Sequence, residues 1–542
     1  MTYVEPNSTI RLIRNCPLDP TQDHTILFSS AAQQTTYFTS TLTGYTLPKN
    51  TYQRVMSGKM RVAKSAEDLY NCNYLAFQNT AFNQKWFYAF VTEVAYVNNV
   101  TAEITYQLDP MQTWLFDYEL EACFVEREHS ATDDVGDNLV PEDLETGDYI
   151  TTDAIQDLTL ADYSNPQIPD TVWKICLFAT RDDIGQEGQH YQYGIVSGLY
   201  PVFFDNSAVG AAAMDDWLQL LPSSVLLANP VVCGVMMPPV MKTAADAASR
   251  QVTVAVPSTL LRTDGTQVKN NKCLTYPYNF LYATNYTGKG AVFRYEFFSQ
   301  LNGNINFWLT GKVCPAPSLY LAPVNYKSPT AMQVGPAAAN QDEAIELTGF
   351  PQVSWDIDSF KAWIAQNASS VTLAGLSAAQ GMASSIGAAT AAGSAAAGAA
   401  GAGLGSVVSL AVSGLIAAAM PPQAHGSMAG TAAFTSGRMT FGLYKKHVTP
   451  EFATIIDDYF TRFGYACKKI KIPNRHARPE WNYVKTLGCC IKASVTGSTV
   501  TGGLPASAMQ EICQIYDRGI TFWINPDHIG DYSYSNAPIT TP

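Results

Sequence analysis

Residues 86–108, WFYAFVTEVAYVNNVTAEITYQL, carry two runs in which apolar and polar side chains alternate at a period close to two, Trp86–Asn98 and Ala102–Leu108. That period is the signature of an extended strand with one face toward a core, and Asn98–Asn99 supplies turn residues between the runs. The stretch predicts a β-hairpin. Outward from it, the first 361 residues read mainly as β. A second hairpin is expected where AVFRYEFFSQL (291–301) meets NINFWLTGKV (304–313), because Asn302–Gly303 readily adopts the positive φ angles of a type I′ turn. Helical patterns are fewer: Ala211–Leu221, Asp356–Ala365, and Pro450–Phe463 with Pro at a position that needs no amide hydrogen. RMTFGLYKKHV (438–448) resumes the strand pattern. The expected fold class is mainly β, a multi-domain barrel or sandwich subunit carrying an inserted Ala/Gly-rich helical loop. The expected boundaries are 1–165 (N-terminal β domain), 166–345 (middle β-rich section), 346–437 (uncharged loop) and 438–542 (C-terminal β section).

The chain has 542 residues, 47% hydrophobic and 11% aromatic, long enough for several cores. Charged residues make up 15%, against roughly 25% in ordinary soluble domains, a composition suited to broad packed interfaces. The net charge of −13 is unevenly spread: 438–542 holds 12 basic and 8 acidic residues, net +4, and the remainder 21 basic and 38 acidic, net −17. A chain this acidic does not coat nucleic acid, since tight binding requires Lys and Arg to neutralise phosphates, but it suits DNA that must pass without sticking. Eleven scattered cysteines without a CxxC motif read as free thiols in a chain made in a reducing cytosol. The opening MTYVEPNSTIRLIRN has no apolar run ahead of a small-residue cleavage site, so no export signal is expected.

From Ala362 to Gly437, 76 positions contain no Asp, Glu, Lys or Arg. At 15% charge such a run arises by chance with a frequency on the order of 10⁻⁶ per starting position, so its composition has been selected. The pattern predicts a helical hairpin. One arm, 371–400, carries Leu373, Leu376, Met382 and Ile386; Gly401 and Gly405 form the bend; the second arm runs from Leu404 to Met420 and stops at Pro421–Pro422. On the second arm Leu404, Val408, Val412, Leu415 and Ile416 share a stripe, Val407 and Leu410 add bulk, and Ser406, Ser409 and Ser413 line another side. Its 17 residues span about 26 Å at 1.5 Å each, short of the ~30 Å hydrocarbon core. Its aliphatic residues contribute only about −2 to −4 kcal/mol of insertion energy, partly offset by Ser and Gly. One copy inserts marginally; several copies together would gain by multivalency. A buried hairpin, a plug and a passive linker are the alternatives.

Catalytic and metal motifs are sparse: there is no HExxH, GxSxG or phosphate-binding GxxxxGK[ST]. Glu126 and His129 have Glu-x-x-His spacing, but they follow an extended apolar segment, which favours a charged strand end over a metal pair. The acids of PEDLETGD (141–148) read as an acidic turn, with paired-carboxylate chemistry the remote alternative. The basic stretch Arg462–Lys485 interleaves cations with aromatics, as single-strand binders do, yet reads first as a solvated or subunit-facing strand pair. No cofactor, no metal and no enzymatic activity are expected; an enzyme degrading cell wall or capsule, working through Glu126, Asp143 or Glu145, is the rival.

Three elements in order, MQTW (Met111, Gln112, Trp114), FVEREH (Glu126, Arg127, Glu128, His129) and VPEDLETGDY (Glu145, Thr146, Gly147, Asp148, Tyr149), resemble the tail knob or distal tail tube proteins of small short-tailed phages of the Picovirinae type. The closing stretch with YFTRFGYACKKIKIPN, WNYV and GDYSYSN is similar to the end of the same family. The resemblance implies a virion protein at the distal tip of the tail, a sixfold ring whose lumen carries double-stranded DNA out without reading its sequence. It implies as partners five further copies, the lower collar or proximal tube proteins, and a host membrane opened by a hydrophobic loop, here 362–437.

Overall fold

The computed structural model describes residues 8–50, 53–56, 58–79, 84–152, 156–158, 174–179, 200–205, 209, 210, 212, 213, 216, 231–237, 251–299, 303–327, 339–350, 352–355, 426–429, 441–494 and 504–538. Strands dominate. The quoted stretch forms the hairpin Trp86–Asn98 and Thr101–Leu108, with the turn at Asn99–Val100, one residue later than expected. It lies inside a seven-stranded antiparallel sheet in the order Gly44–Asn50, Ser8–Arg14, Cys72–Asn79, Trp86–Asn98, Thr101–Leu108, Lys59–Val62, Gln53–Met56. Near its start the hairpin buries both faces: Tyr88 and Phe90 join one apolar core and Ala89 another, and farther out Ala102 and Ile104 of the second strand join the core of Ala89.

This sheet belongs to a unit assembled from three stretches, Met1–Glu145, Leu261–Cys273 and Pro450–Pro542. Its second sheet orders Thr25–Ile26, Ile520–Trp523, Trp481–Leu487, Cys123–Glu128 and Tyr465–Lys471. The longest helices described in this unit are Pro450–Phe463, as expected, and Ala506–Arg518, which the sequence pattern as read above does not anticipate. The latter buries Ala508, Ile512, Ile515 and Tyr516 at helical spacing.

The other unit comprises Thr146–Leu260 and Leu274–Thr449. One sheet pairs Phe441–Val448 with Tyr149–Thr151, Gln156–Leu158 and Asn279–Thr284, and the last with Gly290–Phe293. A second orders Tyr200–Asp205, Lys174–Ala179, Val231–Met237, Gln352–Trp355 and Gly426–Ala429; a third orders Gln251–Ala255, Asn304–Lys312, Ser318–Pro323 and Ile345–Leu347. The core joining them is almost wholly aliphatic and aromatic, including Phe203, Leu281, Phe293, Phe307, Leu321 and Leu443.

The second expected hairpin does not form. Gly290–Phe293 pairs with Asn279–Thr284, and Asn304–Lys312 pairs with Gln251–Ala255 and Ser318–Pro323. After Phe293 the chain makes a 3₁₀ turn at Tyr295–Phe297 that buries Tyr295 completely, and Phe298 packs on Phe307 at 5.9 Å between rings. Burying those rings outweighs continuing the strand. Gly303 does take a positive φ of 101°; Asn302 lies outside the described residues. The helices expected at 356–365, 371–400 and 404–420 also lie outside them, and of Ala211–Leu221 the described positions 212, 213 and 216 are helical.

Candidate functional site

The helix Pro450–Phe463 organises the most elaborate polar site among the described residues. Ala453, Ile456, Asp457, Phe460 and Thr461 recur at i, i+3, i+4, i+7 and i+8 and are all buried, so an acidic side chain sits on the apolar stripe. The helix stops at Gly464, whose φ of +64° suits glycine and whose N–H donates to the Phe460 carbonyl at 2.9 Å. A Cβ there would come within 2.3 Å of the Glu128 carbonyl oxygen. The strand carrying Glu128 thus runs directly against the helix end.

That strand, Cys123–Glu128, is the VEREH element, and it serves as a cap for the helix C-terminus. The last turn of any helix leaves carbonyls without intrahelical partners and a partial negative charge. Here His129 Nε2–H donates to the Thr461 carbonyl at 3.1 Å, Trp481 Nε1–H to the same oxygen at 2.7 Å, and Arg127 Nη1 to the Gly464 carbonyl at 2.7 Å. The Arg127 guanidinium also lies 4.7 Å from the centre of the Tyr459 ring. His129 Nδ1 accepts from the Tyr483 N–H at 2.8 Å, which assigns the neutral Nε2–H tautomer. Burial, then the charges of Arg478 and Arg127, hold its pKa down to about 3. Both imidazole nitrogens are spent on the fold, so the Glu-x-x-His spacing does not make a ligand pair. Register shifts between Val125 and Arg127 relative to both neighbouring strands interrupt the alternation, and Glu128 turns inward to accept from Lys471 and from the Asn474 N–H at 3.0 Å.

Two further carboxylates bind this region together. Glu142, from the acidic turn, is buried against Arg127 and Lys272 and accepts the Ala466 N–H at 3.0 Å. Asp457 is fully buried and accepts from Arg262, from the backbone N–H groups of Lys269 (2.9 Å) and Asn270 (3.0 Å), and from Asn270 Nδ2 (2.9 Å). Asn270 also donates to Thr461 Oγ1 at 2.8 Å. A buried carboxylate persists only with such a complement of donors. Through it the helix holds the short segment 261–273 in the first unit.

The closing GDYSYSN motif completes the site. Asn536 Oδ1 accepts from the N–H groups of Glu480 (3.0 Å) and Trp481 (3.3 Å), and its Nδ2 donates to the Trp481 carbonyl at 2.8 Å. The buried Arg478 bridges Ser130 O (Nε, 2.8 Å) and Asn536 O (Nη1, 3.0 Å). A cleft of about 290 Å³ remains, lined by His129, Lys269, Asn270, Thr461, Arg478 and residues 533–537.

The other motif residues are placed as structure. Asp109 caps the short helix Pro110–Thr113, accepting from the N–H groups of Met111 (3.0 Å) and Gln112 (3.2 Å) and from the Tyr74 hydroxyl (2.8 Å); burial raises its carboxyl to about 6. Met111 and Trp114 are buried, and Gln112 donates to the Ile26 carbonyl at 2.8 Å while accepting from Gln34. Glu126 pairs with Lys485 at 3.0 Å. Glu145 and Asp148 are exposed, Gly147 has φ +58°, and Tyr149, whose hydroxyl meets Thr146 Oγ1 at 3.1 Å, opens the strand Tyr149–Thr151 of the second unit. Glu145 is the last residue of its stretch in the first unit and Thr146 opens the second. The basic stretch becomes two strands, Tyr465–Lys471 and Trp481–Leu487, with Cys123–Glu128 hydrogen-bonded between them, so they are not a direct pair. Asp457, Asn270, Arg262 and Arg478 escape motif reading; an acid on the apolar stripe of 450–463 was the signal available for the first. The loop residues Leu373 to Met420 lie outside the described residues.

Among the described residues no group of three or more His, Cys, Asp or Glu is arranged to hold a metal ion, and no helix is long and apolar enough to cross a membrane. All eleven cysteines are free thiols, eight of them buried.

Comparison with known proteins places these features. Residues 246–537, more than half of the chain, match the family described as the C-terminal domain of the Bacillus phage phi29 tail knob protein gp9, and residues 6–119 match the caudoviral major tail protein N-terminus. Over 99% of this chain and the whole of each relative, it is 24% identical to the tail knob protein gp9 of Bacillus phage B103 and 23% identical to that of Bacillus phage phi29. The fold is similar to that of the bacteriophage C1 tail knob protein gp12, with a TM-score of 0.54 at 13% identity, covering 97% of this chain and 98% of the other.

Proposed function

Since this chain belongs to the family of the phi29 tail knob protein gp9, we propose that it is a structural component of a phage tail knob through which the genome is ejected. It is a virion protein of the tail and works against other tail proteins. In the proposed mechanism six copies form a tube, the lower collar or proximal tube proteins join it above, and double-stranded DNA passes through an acidic lumen that does not hold phosphates. The division at 1–165, 166–345, 346–437 and 438–542 carries into the proposal as tube, knob, loop and closing section.

One observation carries the loop's part in this reading. Gln352–Trp355 and Gly426–Ala429 pair antiparallel, with Trp355 opposite Gly426, so the chain leaves a sheet at Trp355 and returns to the same place. The excursion between them, 356–425, has only Asp356, Asp358 and Lys361 as Asp, Glu, Lys or Arg residues, all in its first six positions. An insertion whose ends meet can change state without dismantling the sheet that carries it. In the proposed mechanism the loops, including Leu404, Val408, Val412 and Ile416, plug the tube and then enter the host membrane, six hairpins reaching an insertion energy that one does not.

Removal of 371–420 is expected to leave the hexamer intact in sedimentation while abolishing dye release from liposomes. Unchanged leakage from the deleted protein removes the membrane role, and a monomer in both proteins removes the tube.

A further inference from the structure

Four of the eleven thiols converge in the first unit. Asp517 and Cys513 lie one turn apart on the same face of the helix Ala506–Arg518. The Asp517 carboxylate accepts the Cys489 N–H at 3.0 Å and the Thr486 hydroxyl at 2.8 Å, which seats the chain after the strand Trp481–Leu487 over that face. There Cys489 lies in an apolar core against which Cys513 packs, and the Cys123, Cys489 and Cys513 side chains lie within interaction range of one another, with Cys490 next to them. Cys489 and Cys123 are buried, Cys513 is half-buried and Cys490 is exposed.

We propose that Cys489 and Cys513 are an oxidation site, a dithiol that closes to a disulfide by exchange with a small external disulfide of the glutathione type. The Cys513 thiolate attacks one sulfur of RSSR, forming a Cys513–SR mixed disulfide and expelling RS⁻. Cys489, giving up its proton, attacks the Cys513 sulfur, the Cys489–Cys513 bond forms and a second RS⁻ leaves. Each RS⁻ takes up one of the two protons, so the protein dithiol is oxidised and RSSR is reduced to two RSH. Cys513 is the thiol the reagent reaches, and Cys489 resolves because Asp517 seats it beside Cys513 in the same core. Burial raises the pKa of both, reinforced by the neighbouring thiols at Cys489 and by the Asp517 charge at Cys513, so the reaction is slow at neutral pH and speeds up with alkalinity. A virion protein assembled inside a reducing cell and released into an oxidising medium meets the required change of conditions. The bridge would join the strand Trp481–Leu487 to the helix Ala506–Arg518 and close a loop of about 25 residues, which restricts the unfolded chain.

The full-length protein, reduced and then equilibrated with oxidised glutathione, is digested without reductant and analysed by mass spectrometry. The expected product is a Cys489–Cys513 cross-linked peptide lighter by about 2 Da than its two reduced halves, with a rise of about 5 °C in the unfolding midpoint that reductant reverses. Cys513→Ser should lose both the peptide and the rise, whereas Cys490→Ser keeps both. A bridge to Cys123 instead, glutathione retained on Cys490 without any bridge, or a rise that persists in Cys513→Ser would overturn the assignment.

Discussion

The two units solve the problem of a core in opposite ways. The buried ionisable residues outside the cysteines and tyrosines among the described residues, namely Arg11, Lys85, Asp109, Asp117, Glu128, His129, Lys272, Asp457 and Arg478, together with the buried side chain of Glu142, belong to the first unit. The second buries aliphatic and aromatic side chains, with Thr275, Asn279, Asn285, Ser318 and Asn325 as its described buried polar residues. The first is assembled from three stretches far apart in sequence. Apolar contact is non-directional and would accept many docking registers, whereas the donors around Asp457 and the carbonyls capped by VEREH accept one. The second builds its sheets from antiparallel ladders whose backbone bonds already fix register, and apolar burial suffices to stack them.

The largest effect should come from breaking the network. Asp457→Ala takes the carboxylate acceptor from the Lys269 and Asn270 N–H groups and one of the acceptors from Arg262 and the Asn270 side chain, and should cost about 4 kcal/mol in denaturant unfolding of the first unit. A loss under about 1 kcal/mol would reduce that network to decoration. In the second unit Leu281→Ala, at a fully buried position, should cost about 3 kcal/mol through its cavity, by the same amount at pH 5 and pH 8. A cost that varied with pH would erase the contrast.

Acidity gives a finer test. His129, held at about 3 against an ordinary 6.5, favours the fold above 6.5 and loses that contribution as pH falls toward 3. Asp109, raised to about 6 from 3.8, acts the other way, its contribution fading as pH rises through 6. Between about 4 and 6 the two offset each other. In Asp109→Asn, thermal unfolding followed from pH 6.5 to 4 should therefore reveal a loss of about 2–3 kcal/mol in the first unit that the unaltered protein does not show. A flat profile in the variant would mean that His129 titrates near its ordinary value. The smallest effect is expected at Lys289, whose 3.4 Å pair with Glu346 is solvent-exposed: Lys289→Ala should change stability by less than about 1 kcal/mol.

Reading the sequence locally succeeded where one side-chain period runs unbroken. The hairpin 86–108 and the helix Pro450–Phe463 follow from spacing alone. It failed at 291–313, where an alternating pattern with a good turn dipeptide lost to the burial of Tyr295 and Phe298. Ala506–Arg518 went unread although its buried residues recur at helical spacing. The motif VEREH was legible as distinctive, but not as a cap, because the carbonyls it caps belong to Thr461 and Gly464, more than 330 positions away.

By itself, then, the sequence determined the β class, the uneven charge, the free thiols and the selected composition of 362–437. These follow from composition and near-neighbour periodicity, which the backbone's small set of conformations converts directly into elements. Only the tertiary structure decided that Cys123–Glu128 lies between two strands of the C-terminal region, that Glu128, Glu142 and Asp457 are buried with their donors, and that Trp355 faces Gly426. Those pairings join residues that share no local pattern, and they are chosen by which arrangement buries the most apolar surface while leaving each buried charge a partner.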